Sequence, residues 1–127
     1  MEPLKTLIVD DEPLARDTLR RLLAQDPEIA VLGECGGGAE AASRIREHAP
    51  DLVFLDVQMP DVDGFEALRR ARPTQVSAVV FTTAYDQYAL RAFEAEALGG
   101  GWSPPSASPH RPWGKVSEAA GGLTGSH

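Results

Sequence analysis

The sequence predicts an α/β protein built on a parallel, doubly wound sheet. Three observations carry this expectation. Short apolar runs alternate four times with segments of helical periodicity. The runs are apolar throughout rather than on alternate residues, so both sheet faces should be covered by helices. Acidic residues follow two of the runs, at the strand ends where open α/β sheets gather ligands.

Thr6-Leu7-Ile8-Val9 is the first strand and runs into Asp10-Asp11. A helix starts near Pro13, a residue suited to a first helical turn, and carries Leu14, Thr18, Leu19, Leu22 and Leu23 as one stripe. Asp26-Pro27 ends it. Ile29-Ala30-Val31-Leu32 is the second strand. Gly36-Gly37-Gly38 turns into a helix with Ala39, Ala42, Ile45 and Ala49 on one face. Asp51–Asp56 holds the third strand. A loop with Pro60 and Gly64 leads to a short helix bearing Phe65 and Leu68. Ala78–Thr82 is the fourth strand, and a helix over about 86–98 turns Ala89, Ala92 and Phe93 inward.

After Leu98 the text changes. The 29 residues from Gly99 include seven Gly, four Pro and five Ser, a composition that offers little burial against ordering entropy. Residues 1–98 therefore read as one domain and 99–127 as an irregular tail, arising from truncation, divergence or a shifted reading frame. The 127-residue chain has 43% hydrophobic and 24% charged residues, ordinary for a globular domain. Its net charge of −7 argues against specific DNA binding by this chain. Cys35 is the sole cysteine, so an internal disulfide is impossible. There is no membrane-length apolar run and no signal peptide, which suits a cytoplasmic protein.

If the first and third strands are neighbours, Asp10, Asp11 and Asp56 converge at one rim. Crowded carboxylates repel and call for a hard cation such as Mg²⁺, which takes oxygen ligands and stays open to phosphate. Taken singly, Asp11 also suits a helix cap, Asp56 a polar strand end, and Thr83 plain strand duty.

The residues Leu7–Pro13, Asp51–Pro60, Asp63-Gly64 and Val80–Ala84 together resemble the receiver domain of two-component response regulators, over about residues 4–98. Thr83–Phe93 resembles the LytTR-type regulators in particular. The resemblance implies a flavodoxin-like (CheY-like) fold. It implies Asp56 as phosphoacceptor for a sensor histidine kinase, with uptake self-catalysed rather than enzymatic. Asp10, Asp11, Asp56 and the backbone carbonyl of Gln58 would hold Mg²⁺, and Thr83 would be the switch hydroxyl. Kinase contact is implied near the helix that bears Arg16, Asp17, Arg20 and Arg21.

The resemblance stops short of a fifth strand and helix. The family's phosphate-contacting Lys would fall near Ser103 and its aromatic switch partner near Gly100, so switching should be impaired. Lys115, the only downstream Lys, has nothing to place it at the site. With four strands the fourth becomes an edge, which predicts a homodimer or higher oligomer, with Trp102 and Trp113 as candidate cover. The competing functions are an oligomerising interaction module that takes no phosphate and a Mg²⁺-dependent phosphatase. Gln58, where such a phosphatase wants a second acid, argues against the latter.

Overall fold

The computed structural model describes residues 2–73, 75–83, 87–99, 101–102 and 104, without the side chains of Gln87 and Leu98. Four strands and four helices alternate: β1 (Leu4–Val9), α1 (Pro13–Leu23), β2 (Ile29–Cys35), α2 (Gly38–His48), β3 (Leu52–Leu55), α3 (Gly64–Ala71), β4 (Ala78–Phe81) and α4 (Gln87–Gly99). All strand pairs are parallel and the order is β2-β1-β3-β4. Among the described residues this is the expected doubly wound sheet. Ala84, Gly100, Ser103, His110, Trp113, Lys115 and His127 lie outside them.

Side-chain alternation along the strands divides the core in two. Leu7, Val9, Val53, Leu55 and Val79 face α2, α3 and α4, where Ala41, Ala42, Ile45, Phe65, Leu68 and Phe93 meet them. Ile8, Leu52, Phe54, Ala78 and Val80 face the α1 side, with Leu19 and Leu23. Each fully buried Leu or Phe contributes about 2–3 kcal/mol. The central strands are buried on both faces, which is why they read as continuous apolar runs.

Several face assignments differ from the sequence reading. Leu14 is 77% exposed and lies off the buried stripe of α1, which is carried by Leu19 and Leu23. On α2 the buried residues are Ala41, Ala42 and Ile45, while Ala39 is exposed. On α4, Phe93 and Ala97 are buried and Ala92 is exposed. Alanine spacing alone does not select a helix face, because alanine is tolerated on either side. β2 extends three residues beyond Leu32, because the pairing with β1 shifts between Thr6 and Leu7. Thr6 pairs with Val31 and Leu7 with Gly33, so the skipped Leu32 is turned outward.

Trp102 closes the far end of the α3–α4 layer. Its indole Nε1–H donates to the Pro73 carbonyl at 3.1 Å, and its ring meets Phe93 edge-on at 5.8 Å. The Arg69 guanidinium lies over the Phe93 ring, 5.6 Å from its centroid, and pairs with Glu96 at 2.9 Å. Trp102 thus joins the core although the sequence around it reads as tail.

The glycine run has a specific job at Gly38. A Cβ there would stand 2.2 Å from the Val62 carbonyl oxygen, so the start of α2 can approach the β3–α3 loop only without a side chain. The same loop supplies the cap: Asp61 accepts from the Gly38 and Ala39 amides at 3.1 and 3.2 Å. Those amides hold the Asp61 carboxyl below its ordinary range. Gly38→Ala should therefore destabilise the fold by about 2 kcal/mol. Gly99→Ala, where nothing lies within 4 Å of the new methyl, should be neutral or slightly stabilising. Urea unfolding of the two variants measures the contrast.

Candidate functional site

Strand register builds the site. Val9 pairs with Leu55 and Leu55 with Phe81, so the chains leave the sheet at one level. The next residues are Asp10, Asp56 and Thr82. Backbone bonds continue past the strands: the Asp56 amide donates to the Val9 carbonyl at 2.9 Å, the Asp10 amide to Cys35 at 3.0 Å, and the Thr82 amide to Leu55 at 3.1 Å. The ends are thereby fixed in place.

Carboxylate oxygens of Asp10, Asp11 and Asp56 lie within 4.8 Å of one another. Asp10 and Asp56 are each only 4% exposed, and Asp11 is half-buried. The sequence-predicted trio is therefore brought together. Asp11 does not cap α1: the N-cap is Glu12, with no side-chain cap bond. Asp10 instead accepts from the Glu12 amide at 2.9 Å, which holds the turn and aims the carboxylate.

Asp56 is held by two donors. Its Oδ1 accepts from the Gln58 amide at 2.9 Å and from the Thr83 hydroxyl at 2.8 Å. The Thr83 oxygen in turn accepts from the Val57 amide at 3.2 Å. Thr83 thus joins the end of β4 to both the carboxylate and the loop after β3. The Gln58 side chain is exposed, as expected for a residue offering only backbone.

Electrostatically the site is costly. Burial pushes the Asp56 carboxyl from 3.8 up to about 6, against the Thr83 and Gln58 bonds that favour its charged form, and the nearby Asp10 adds to the rise. Burial also raises Asp10, with the charge of Asp11 adding to it. Among the described residues no ion pair reaches the trio. Hard, crowded, partly desolvated oxygen donors fit a small divalent cation such as Mg²⁺. Asp10 and Asp56 open into a cleft of about 450 Å³ that Leu14, Thr18 and Thr83 also line.

Two features lay outside the sequence reading. Arg16, assigned to a solvated face, donates from Nη1 to the Asp10 carbonyl at 2.7 Å and lies 3.5 Å from Glu34. Asp61, read as loop, caps α2. A helical wheel places Arg16 one turn from Glu12, but no local pattern foretells its bond to Asp10. Asp61 becomes legible only with the Gly37-Gly38 close approach.

The site is thus a parallel sheet with three acids at its carboxyl rim and a hydroxyl just past the neighbouring strand β4. Residues 6–99 match the response regulator receiver domain family, and the chain belongs to it. The chain is 46% identical over 95 residues to the transcriptional regulatory protein BtsR of Salmonella typhi, covering 75% of this chain and 40% of that protein. It is 47% identical over 96 residues to the sensory transduction protein LytT of Bacillus anthracis, covering 75% and 39%. Its relatives thus include the LytTR-type regulators. The chain spans about 40% of the length of these curated relatives. Among solved structures it is similar to a LuxR-family two-component response regulator from Aurantimonas sp. SI85-9A1, with TM-score 0.64, 25% identity and coverage of 93% and 98%. The response regulator domain of Thermotoga maritima CheB shares the fold, with TM-score 0.65, 24% identity and coverage of 98% and 92%. Among the described residues no helix is long and apolar enough to cross a membrane.

The raised Asp56 carboxyl gives a pH prediction. Its folded value lies above the unfolded one, so the folded protein binds the proton more tightly. Stability therefore falls as pH rises from about 4 to about 6 and stays lower above that. Asp56→Asn removes this loss while keeping an acceptor oxygen. In thermal melts without divalent ions the variant should be more stable than the parent at pH 7 by about 1–3 kcal/mol. The gap should close as pH falls below about 4.

Proposed function

We propose that this chain accepts a phosphoryl group on Asp56 with Mg²⁺ held by Asp10, Asp11, Asp56 and the Gln58 backbone carbonyl. The observation that carries the reading is the approach of three carboxylates within 4.8 Å, two of them buried, in a member of the receiver family. A bound cation would neutralise the developing charge on the phosphate oxygens and let anionic donor and anionic acceptor approach. The remaining work belongs to the chain. The Gln58 amide and Thr83 hydroxyl hold one Asp56 oxygen, leaving the other to attack phosphorus. The phosphorus–oxygen bond forms as the bond to the donor's leaving group breaks, and the leaving group departs with its electron pair.

Thr83 fits the role of switch hydroxyl. It donates to Asp56 Oδ1 and accepts from Val57, so added phosphate charge near that oxygen gives it a stronger acceptor to follow. The donor proposed is a sensor histidine kinase. The exposed Leu14 beside the cleft supports a docking surface for it on α1, with an apolar anchor next to the reacting carboxylate.

Switching is proposed to be weakened for want of the family's Lys. The sequence holds only Lys5 and Lys115. Lys5 lies in β1, at the opposite end of the sheet from Asp10. An interaction module without phosphate uptake is the second reading, favoured by the lack of an ion pair to Asp56 among the described residues.

Incubation with Mg²⁺ and a small acyl-phosphate donor, read by intact mass, tests the proposal. The expected result is one phosphoryl adduct, lost in Asp56→Ala and when Mg²⁺ is chelated. Thr83→Ala should keep the adduct while removing the beryllofluoride-induced change in the amide spectrum of residues after β4. No adduct at any Mg²⁺ concentration would leave the interaction-module reading.

A further inference from the structure

Three carboxylates converge on one point only if each is held in place, and here the holders differ. The Asp10 carboxylate accepts from the Glu12 amide, and the Asp56 carboxylate from the Gln58 amide and the Thr83 hydroxyl. The Asp11 carboxylate has no such donor among the described residues. Its position is therefore set by the backbone from which it springs. A peptide unit is planar, so the Asp10 carbonyl and the Asp11 amide turn together. Whatever fixes that carbonyl fixes where Asp11 leaves the chain.

Arg16 fixes it. Its Nη1 donates to the Asp10 carbonyl at 2.7 Å, reaching back from the first turn of α1, where the Arg16 amide donates to the Glu12 carbonyl at 3.1 Å. The amide of Asp10 is tied as well, to the Cys35 carbonyl at 3.0 Å. The guanidinium is itself located by Glu34 on β2. Arg16 Nε lies 3.5 Å from Glu34 Oε1, and Arg20 Nη1 donates to Glu34 Oε2 at 3.3 Å. The guanidinium passes beside Gly36, where a Cβ would stand 3.2 Å from Nη1. The side chains of Arg16 and Glu34 are 21% and 26% exposed, against 77% for Arg21 in its pair with Asp17. Solvent screening and side-chain entropy, which make surface pairs weak, act less on the shielded pair.

Two effects of Arg16 on a cation oppose each other. As a positive charge it repels the ion, and its loss would make the net charge of −7 one unit more negative and draw the ion more strongly. As the holder of the 10–11 peptide it favours the ion, because a loosened Asp11 no longer completes the donor set. Partners that orient metal ligands from behind are worth about 10–100-fold in affinity, whereas a partly exposed charge is screened by salt. Orientation is therefore the larger effect.

We propose, resting on the reading that the trio holds Mg²⁺, that Arg16 is the positioning residue for Asp11, acting through the Asp10 carbonyl, and that Glu34 positions Arg16.

The test is calorimetric titration of the full chain with Mg²⁺ at fixed ionic strength, beside thermal melts and amide exchange of each metal-free variant. Arg16→Ala should weaken Mg²⁺ binding about tenfold or more and speed exchange of the Glu12 amide before any metal is added. Glu34→Ala should weaken binding less. The double variant should bind no more weakly than Arg16→Ala alone, because Glu34 acts only through Arg16. Arg16→Lys keeps the charge but cannot span the carbonyl and Glu34 together, so it should fall between parent and Arg16→Ala. It also carries the test if Arg16→Ala melts too low to titrate. Arg70→Ala removes the same unit of charge from α3 and should leave the affinity unchanged. Mg²⁺ binding by Arg16→Ala or Arg16→Lys equal to or tighter than the parent's would overturn the proposal while leaving the Mg²⁺ reading intact, and a lowered Tm alone would make Arg16 a stabilising residue only. A parent chain that binds no Mg²⁺ would sink the underlying reading and this proposal with it.

Discussion

Three negative charges forced into one notch are the constraint around which this molecule is organised. Parallel pairing of β1 with β3 leaves no choice in the matter. Once Val9 stands opposite Leu55, the residues that follow must emerge side by side, and both are aspartates. Isolated carboxylates at a strand end would be solvated at little cost. Here two are nearly inaccessible to water, and burial is the leading cause of the rise in each. The fold thus spends stability to keep a concentrated negative potential at its rim, the kind of local rule-breaking that accompanies function.

What makes that arrangement tolerable is the rigidity of its surroundings. Asp10 is pinned by the Glu12 amide, and its carbonyl by Arg16. Asp56 is pinned by the Gln58 amide and the Thr83 hydroxyl. The loop after Asp56 is tied at three further points. The Gly64 amide donates to Val57 at 2.9 Å, Asp63 caps α3 through the Glu66 amide at 2.8 Å, and Asp61 caps α2. A change at Asp56 therefore has direct mechanical neighbours in α2, α3 and the end of β4. Surface pairs such as Arg44–Glu40 and Arg70–Glu66 are exposed and add little by comparison.

The sequence was legible where one physical cause dominated. Doubly buried strands can only be apolar runs, so β1, β3 and β4 were placed to within two residues. Acids after such runs can only lie at the carboxyl rim, so the trio followed once the strands were neighbours. Legibility failed where causes compete. Leu14 is apolar at a helical spacing that fits the core, yet it sits in the first turn, ahead of the point where α1 settles onto the sheet. Alanine carries too little area to select a face, so Ala39 and Ala92 misled. The extra residue Leu32 shifts a register by one, which period-two reasoning cannot detect in a strand that is half-buried on both sides. Trp102 sat in turn-forming text, and its burial depends on a distant partner, the Pro73 carbonyl.

The same reasoning bears on how charge is balanced at the site. In the proposed reading, phosphate on Asp56 would bring about two further negative charges beside Asp10 and Asp11. Of the described basic side chains, Arg16 approaches the site most directly, but its guanidinium is committed to a carbonyl and to Glu34. Lys5 enters β1 from the far end. The charge would then fall chiefly on the cation held by the acids, with hydroxyl and amide dipoles as the rest. A receiver balanced in this way would couple its phosphorylated state to Mg²⁺ concentration more steeply than one with a fixed ammonium at the phosphate, because the same ion would both assemble the site and neutralise its product.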